Sequence, residues 1–304
     1  MKIPQCRAHF ALFLVNTFYG ANHVIAKGIM PTILTPNVFI FLRVAGATSL
    51  FWLTHLFRKN REKIDRKDLP RLGACGLFGV AINQLFFFHG LNLSSAINAG
   101  IIMTLNPIMV VILSYFILKE AITTYRVVGI MLGATGAILL TISSSSRSSE
   151  LALGDFFLLI NAASYAIYLV IAKPLMTKYK PLTVITYTFL FGFLFVLLFP
   201  PTIGDLFRTD FSLLTGVVLI KVLYVIICVT FLAYLLTMYS LSKVSPSVSS
   251  AYIYLQPVMV IFFAILFAYI GFTEDYTSTI TTQKIFYMLL IFVGVYVTSL
   301  KRKA

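Results

Sequence analysis

Asn16, Tyr19 and His23 follow one another at steps of three and four residues, and so do Asn161, Tyr165 and Tyr168, each set within a largely apolar stretch. Side chains at that spacing share one face of an α-helix. Amides and phenols donate and accept hydrogen bonds without carrying charge, so such a face can hold a polar solute. It can equally bond to a neighbouring helix, a role worth about 0.6 kcal/mol on average in hydrocarbon, and for any single amide both roles stay open. Other apolar stretches add Asn83, Gln84 and Phe87, then Asn98 and Asn106, Tyr234, and finally Tyr252 with Gln256. These are the candidate binding residues.

What the stretches lack narrows the chemistry. All ten acidic residues fall outside them or at their ends, so no paired carboxylates and no buried Asp or Glu proton carrier are available. There is no G-x-x-x-x-G-K-[ST] phosphate loop and no H-E-x-x-H zinc motif, and no Ser-His-Asp set shares a face. Cys6, Cys75 and Cys228 form neither a CxxC pair nor a disulfide framework. We expect no enzyme, no cofactor and no metal.

The elements that carry these residues must lie in a bilayer. A chain of 304 residues that is 59% hydrophobic and 11% charged, with mean hydropathy +0.93, is far from the roughly 25% charge of soluble domains. Runs long enough to cross the hydrocarbon lie near residues 8–28, 36–57, 71–91, 97–118, 124–143, 152–173, 182–200, 222–241, 247–268 and 284–300. They are too long and too uniformly apolar for barrel strands. The fold class is an all-α membrane protein with ten transmembrane helices. Lys2 and Arg7 before the first run have the form of a secretory signal, but a second copy of that segment deep in the chain marks it as a retained helix.

The formal net charge of +14 reads as topology rather than nucleic-acid binding. With a cytoplasmic N-terminus, the inner loops and termini hold 18 Lys and Arg and the outer ones five, leaving Arg43 alone inside a span. The positive-inside rule then places both termini in the cytoplasm of a cell-membrane protein.

The second copy is explicit. Val-Ile-Ala-Lys begins at Val24 and again at Val170, with Tyr19 and Tyr165 preceding it at the same distance. Leu105-Asn106-Pro107 reappears as Leu255-Gln256-Pro257. Each half, 1–146 and 147–304, holds five spans, and an odd count makes the halves enter the membrane from opposite sides. That is the inverted repeat of secondary transporters, in which the solute site lies between the repeats near the midplane. One chain supplies both repeats, so a monomer could suffice.

Gly90-Leu91, Asn98-Ala99, Leu105-Asn106-Pro107 and Lys119-Glu120 together resemble the first-half signature of the drug/metabolite transporter superfamily, in its EamA-like branch. Tyr234, Leu241, residues 249–251 and Leu255-Gln256-Pro257 resemble the same pattern in the second half, although the following link, 267–282, is longer. The resemblance spans nearly the whole chain. It implies ten helices, export of amino acids or other small metabolites, a central cavity lined by helices 1, 3, 4, 6, 8 and 9, and an acidic residue, here Glu120, ending the fourth helix. Phenols and amides without fixed charge would suit a zwitterionic or neutral solute. A membrane-embedded enzyme or a non-transporting receptor is the alternative, and drugs or nucleotide sugars remain alternative cargoes.

Five further expectations concern single residues. Arg43 either anchors a substrate carboxylate or locks helix 2 structurally, and its position about two turns past Pro36 favours structure. Lys173 and Tyr179 should reach the headgroup layer, and His23 and His89 are titratable near neutral pH. Pro107 and Pro257 each remove a backbone donor and should kink or hinge helices 4 and 9. Gly73, Gly76 and Gly79, and Gly129 with Gly133, should form close-packing surfaces.

Overall fold

The computed structural model describes residues 3–27, 29, 33–59, 62–93, 102–103, 105–143, 152–269 and 282–300. The longer helices among them are α1 (Ile3–Lys27), α2 (Pro36–Leu56), α3 (Arg66–Leu93), α4 (Leu105–Leu118), α5 (Thr124–Ser143), α6 (Ala152–Ala172), α7 (Pro181–Leu197), α8 (Gly216–Lys243), α9 (Pro246–Phe267) and α10 (Thr282–Ser299). No strand occurs among the described residues. Five helices, α2, α3, α6, α8 and α9, are long and apolar enough to cross a bilayer, and α7 with the short helix Pro200–Arg208 makes a sixth if the bent pair is one span.

Local chemistry sets the helix starts. Proline opens α2 and α9, where its missing N–H costs nothing. The residue before it caps the helix: Thr35 Oγ1 accepts from Val38 N and Ser245 Oγ from Val248 N, each at 3.4 Å. Pro200 and Pro201 end α7 and open Pro200–Arg208, which turns away by 74°. Hydropathy gave no hint of that bend, and it gave a late start for α8, which begins at Gly216.

The surface is inside out for a soluble protein. Phe116, Met131, Ile220, Phe286 and Tyr296 are exposed, whereas Asn16, Arg43, Gln84, Asn106 and Asn161 are buried. Exposed apolar side chains around buried amides and one buried guanidinium fit a solvent of lipid.

Several helix pairs correspond when each helix is exchanged with the one five places on. α1 packs on α8 and α9, as α6 packs on α3 and α4; α2 packs on α8, as α7 packs on α3. α2 also packs on α7 and α5 on α10, each pair exchanging with itself. Even the irregularities correspond, since α3 widens to a π-helix at Leu77–Ile82 and α8 at Val225–Leu232. Such bulges often mark functional positions.

Small residues let the helices approach. A Cβ on Gly136 would meet Ile291 Cγ1 at 2.9 Å, and one on Gly294 would meet Gly129 O at 2.7 Å, so α5 and α10 touch through backbone. Gly76 lies against Gly192 and Thr188 of α7, and Gly79 against the ring of Tyr168. Gly73 departs from the expected pattern, with nothing within 4 Å of its Cβ position.

Candidate solute-binding cavity

A cavity of about 120 Å³ is lined by residues from both parts of the sequence, comparable to the ~150 Å³ that holds a benzene in an engineered core. Its lining comes from α1, α3, α4, α6, α8 and α9, with Arg43 from α2 and Met103 from just before α4. The polar wall includes seven amides, Asn16, Asn22, Asn83, Gln84, Asn106, Asn161 and Gln256, with the phenols of Tyr19, Tyr165 and Tyr234 and the hydroxyls of Thr237 and Ser249.

The amides are tied in corresponding ways. Asn106 on α4 donates from Nδ2 to Ala162 O on α6 at 2.8 Å, and Gln256 on α9 donates from Nε2 to Asn16 Oδ1 on α1 at 3.3 Å. Asn161 Nδ2 donates to Asn83 O at 2.6 Å. Gln84 Nε2 donates to Tyr234 Oη at 2.9 Å, and that hydroxyl donates to Gly79 O at 3.1 Å, inside the π-helix of α3. A π-turn leaves carbonyls out of the regular ladder, and Tyr234 reaches one of them. These side chains tie helices together, and the same side chains line the cavity.

Ten of the expected residues line the cavity: Asn16, Tyr19, Asn83, Gln84, Phe87, Asn106, Asn161, Tyr165, Tyr234 and Gln256. Two are placed elsewhere. Tyr168 is fully buried against Gly79, and Tyr252 accepts or donates a 2.8 Å bond with His9 Nδ1. Asn98 and the side chain of His23 lie outside the described residues. Sequence reasoning missed Asn22, Thr237 and Ser249. Asn22 is a buried amide on the same helix as Asn16, so its burial cost was the available signal.

Arg43 overturns the expectation of a cavity without fixed charge. It is 3% exposed and lines the cavity, with Nε donating to Thr230 Oγ1 at 3.2 Å and Cζ standing 5.5 and 5.0 Å from the ring centroids of Phe39 and Phe88. An Arg at a helix centre costs about 2.5–3.5 kcal/mol on insertion scales. Two ring faces and one hydroxyl offset part of that.

The ends of the cavity helices are fastened separately. Glu120 pairs with Arg126 at 3.0 Å and accepts from Ser247 Oγ at 3.4 Å, while Arg126 Nη2 donates to Ser245 Oγ at 3.3 Å. The junction after α4 thus grips the start of α9. Lys119 turns the chain there with φ 54°, a left-handed conformation that costs a non-glycine residue about 1 kcal/mol. Lys173, expected in the headgroups, instead donates to Leu241 O at 2.6 Å and Val244 O at 2.7 Å, where a cation suits the end of α8. Tyr179 likewise turns inward and donates to Asp68 Oδ2 at 2.8 Å, beside Lys178 at 3.0 Å. Elsewhere, His89 on α3 bonds Asn37 Oδ1 on α2 at 2.8 Å, and Asn37 Nδ2 donates to Asp205 of the helix Pro200–Arg208 at 2.8 Å.

Pro257 follows a 3-10 turn, Tyr252–Leu255, that interrupts α9, and Pro107 sits in the first turn of α4. The side chain of Pro257 lies outside the described residues.

The sequence pattern of the EamA-like transporter family matches the chain twice, over residues 7–142 and 152–300. The chain belongs to the EamA-like transporter family. It is 30% identical over 248 residues to an uncharacterized transporter of Archaeoglobus fulgidus, covering 82% of this chain and 85% of that one. It is 24% identical over 262 residues to the uncharacterized transporter YetK of Bacillus subtilis, covering 84% and 77%. A crystal structure with 16% identity superposes with a TM-score of 0.72 over 96% of each chain, a likeness of fold. Family membership, transporter relatives and apolar helices make this a multi-pass membrane transporter of the drug/metabolite transporter superfamily, with a small-molecule substrate.

Proposed function

We propose that the protein is a secondary transporter that exports amino acids or related small metabolites across the cytoplasmic membrane by alternating access. The two halves, 1–146 and 147–304, act as inverted five-helix repeats with both termini in the cytoplasm, and the cavity between them is the solute site. The observation that carries this reading is the lining itself. Six helices, three from each half, contribute uncharged polar side chains to one cavity, and their contacts pair in corresponding ways. Rocking such halves about a central site alternates access. Pro107 and the 3-10 turn before Pro257 give α4 and α9 matched places to bend.

Counterflow of radiolabelled amino acids and metabolites in proteoliposomes tests the reading. Saturable exchange of at least one solute is expected. If no solute of a broad panel moves, the transport mechanism proposed here fails.

A further inference from the structure

The cavity holds a charge without a counter-charge. Arg43 is the one ionic side chain among the described lining residues, and no ion pair among the described residues includes it. A guanidinium carries five N–H donors. Nε serves Thr230, and the two outer nitrogens find no hydrogen-bond acceptor among the described residues. The aromatic rings of Phe39 and Phe88 flank the group without accepting from those donors in the plane.

The same cavity also holds acceptors without donors. The Nδ2 of Asn106 donates to Ala162 O, which fixes the amide's orientation and leaves Oδ1 buried with no partner. Asn22 Oδ1 is buried and unpartnered too. Unmade hydrogen bonds of this kind are costly in a low-dielectric interior, and a bound solute can make them.

We propose that Arg43 is a carboxylate subsite: the cargo carries a carboxylate that takes the free fork of the guanidinium, and an ammonium or N–H group that donates to Asn106 Oδ1. The assignment rests on the reading of this cavity as the solute pathway. The planar fork matches a carboxylate bidentately, and the solute brings in the missing counter-charge. One cation balances one carboxylate. A phosphate dianion would need a second Lys or Arg, and the described lining has none; an amine without a carboxylate would set like charges together. Leu12, Val15, Met103 and Ile253 complete the wall and suit an apolar side chain. The cargo class is therefore a small apolar amino acid or a close amino carboxylate, and purely neutral solutes are disfavoured.

L-Alanine, L-leucine and L-phenylalanine, each with its amide and its decarboxylated amine, are the probes. Thermal shift of the full chain in detergent reads binding. At least one amino acid is expected to stabilise the wild type, with its amide and amine binding at least tenfold more weakly. Arg43→Gln should abolish the shift and Arg43→Lys retain part of it. The wild-type comparison needs no variant, so misfolding of Arg43→Gln cannot obscure it. The subsite is overturned if no amino acid shifts the wild type, if amides or amines bind as well, or if a folded Arg43→Gln protein keeps the full shift. Counterflow of the same probes separates the two readings. Binding without counterflow removes the transport mechanism and leaves the subsite, whereas counterflow of amides or amines at the amino acid's rate removes the subsite and leaves transport.

Discussion

Gln84 and Tyr234 bond to each other at 2.9 Å across 150 positions, the same interval that separates Asn106 from Gln256 in the repeated motif. Both residues line the cavity, so the bond fastens α3 to α8 along its wall. A double-mutant cycle with Gln84→Leu and Tyr234→Phe, read by unfolding in detergent, should give a coupling of about 0.6 kcal/mol, the usual size for such bonds in membranes. Simply additive losses would show that the bond carries no stability.

The contact of α5 with α10 is made through glycine backbone, so volume added there has nowhere to go. Gly294→Val should destabilise the protein by about 1–3 kcal/mol, the range for overpacking. Gly73→Ala, with open space at its Cβ position, should be neutral or stabilising by up to about 1 kcal/mol. Melting temperatures of the two variants check the contrast, and equal losses would contradict the packing described.

Lys173 holds two carbonyls at the end of α8, and hydrogen bonds to a charged group are worth about 1.5–3 kcal/mol. Lys173→Met should cost that order of stability, while Lys173→Arg, which keeps the charge, should retain part of it. Denaturation of the two variants in the same detergent decides the point. A Met variant as stable as wild type would return Lys173 to the headgroup layer.

Glu120 and Arg126 are about one-fifth exposed, a setting in which an ion pair is worth up to about 1 kcal/mol. Glu120→Gln should lower stability by about that amount at low salt and by less at high salt. The Glu120→Arg, Arg126→Glu exchange should recover part of the loss. A loss that ignores salt would point to the hydrogen bonds with Ser245 and Ser247 rather than the charges.

Cys6 is exposed at the start of α1, whereas Cys75 is buried. With the proposed cytoplasmic N-terminus, a membrane-impermeant maleimide should label Cys6 in inside-out vesicles and not in intact cells, and should leave Cys75 unmodified in both. Labelling of Cys6 from outside the cell would reverse the orientation.

Much of the cavity wall was legible because hydrocarbon is unforgiving. An amide such as Asn16 or Asn161 in an apolar helix must turn from lipid, so its spacing identifies the inner face. The two tyrosines that fall elsewhere show the limit. Tyr168 lies at the right step from Asn161 and Tyr165, yet Gly79 lets α3 approach so closely that the ring is enclosed. Tyr252 begins a 3-10 turn, and four residues at about 120° each carry it some 80° further round than an α-helix would. That rotation turns it toward His9 rather than onto the face of Gln256.

The sequence by itself determined an all-helical membrane protein of this family and the helices that carry its polar faces, because span length, hydropathy and repeated motifs are properties of the chain. Only the tertiary structure decided that Arg43 lines the cavity. A lone charge has no periodicity to reveal its direction, and the packing of α2 against α8, with Thr230 and two phenylalanine rings around it, sets where the guanidinium goes.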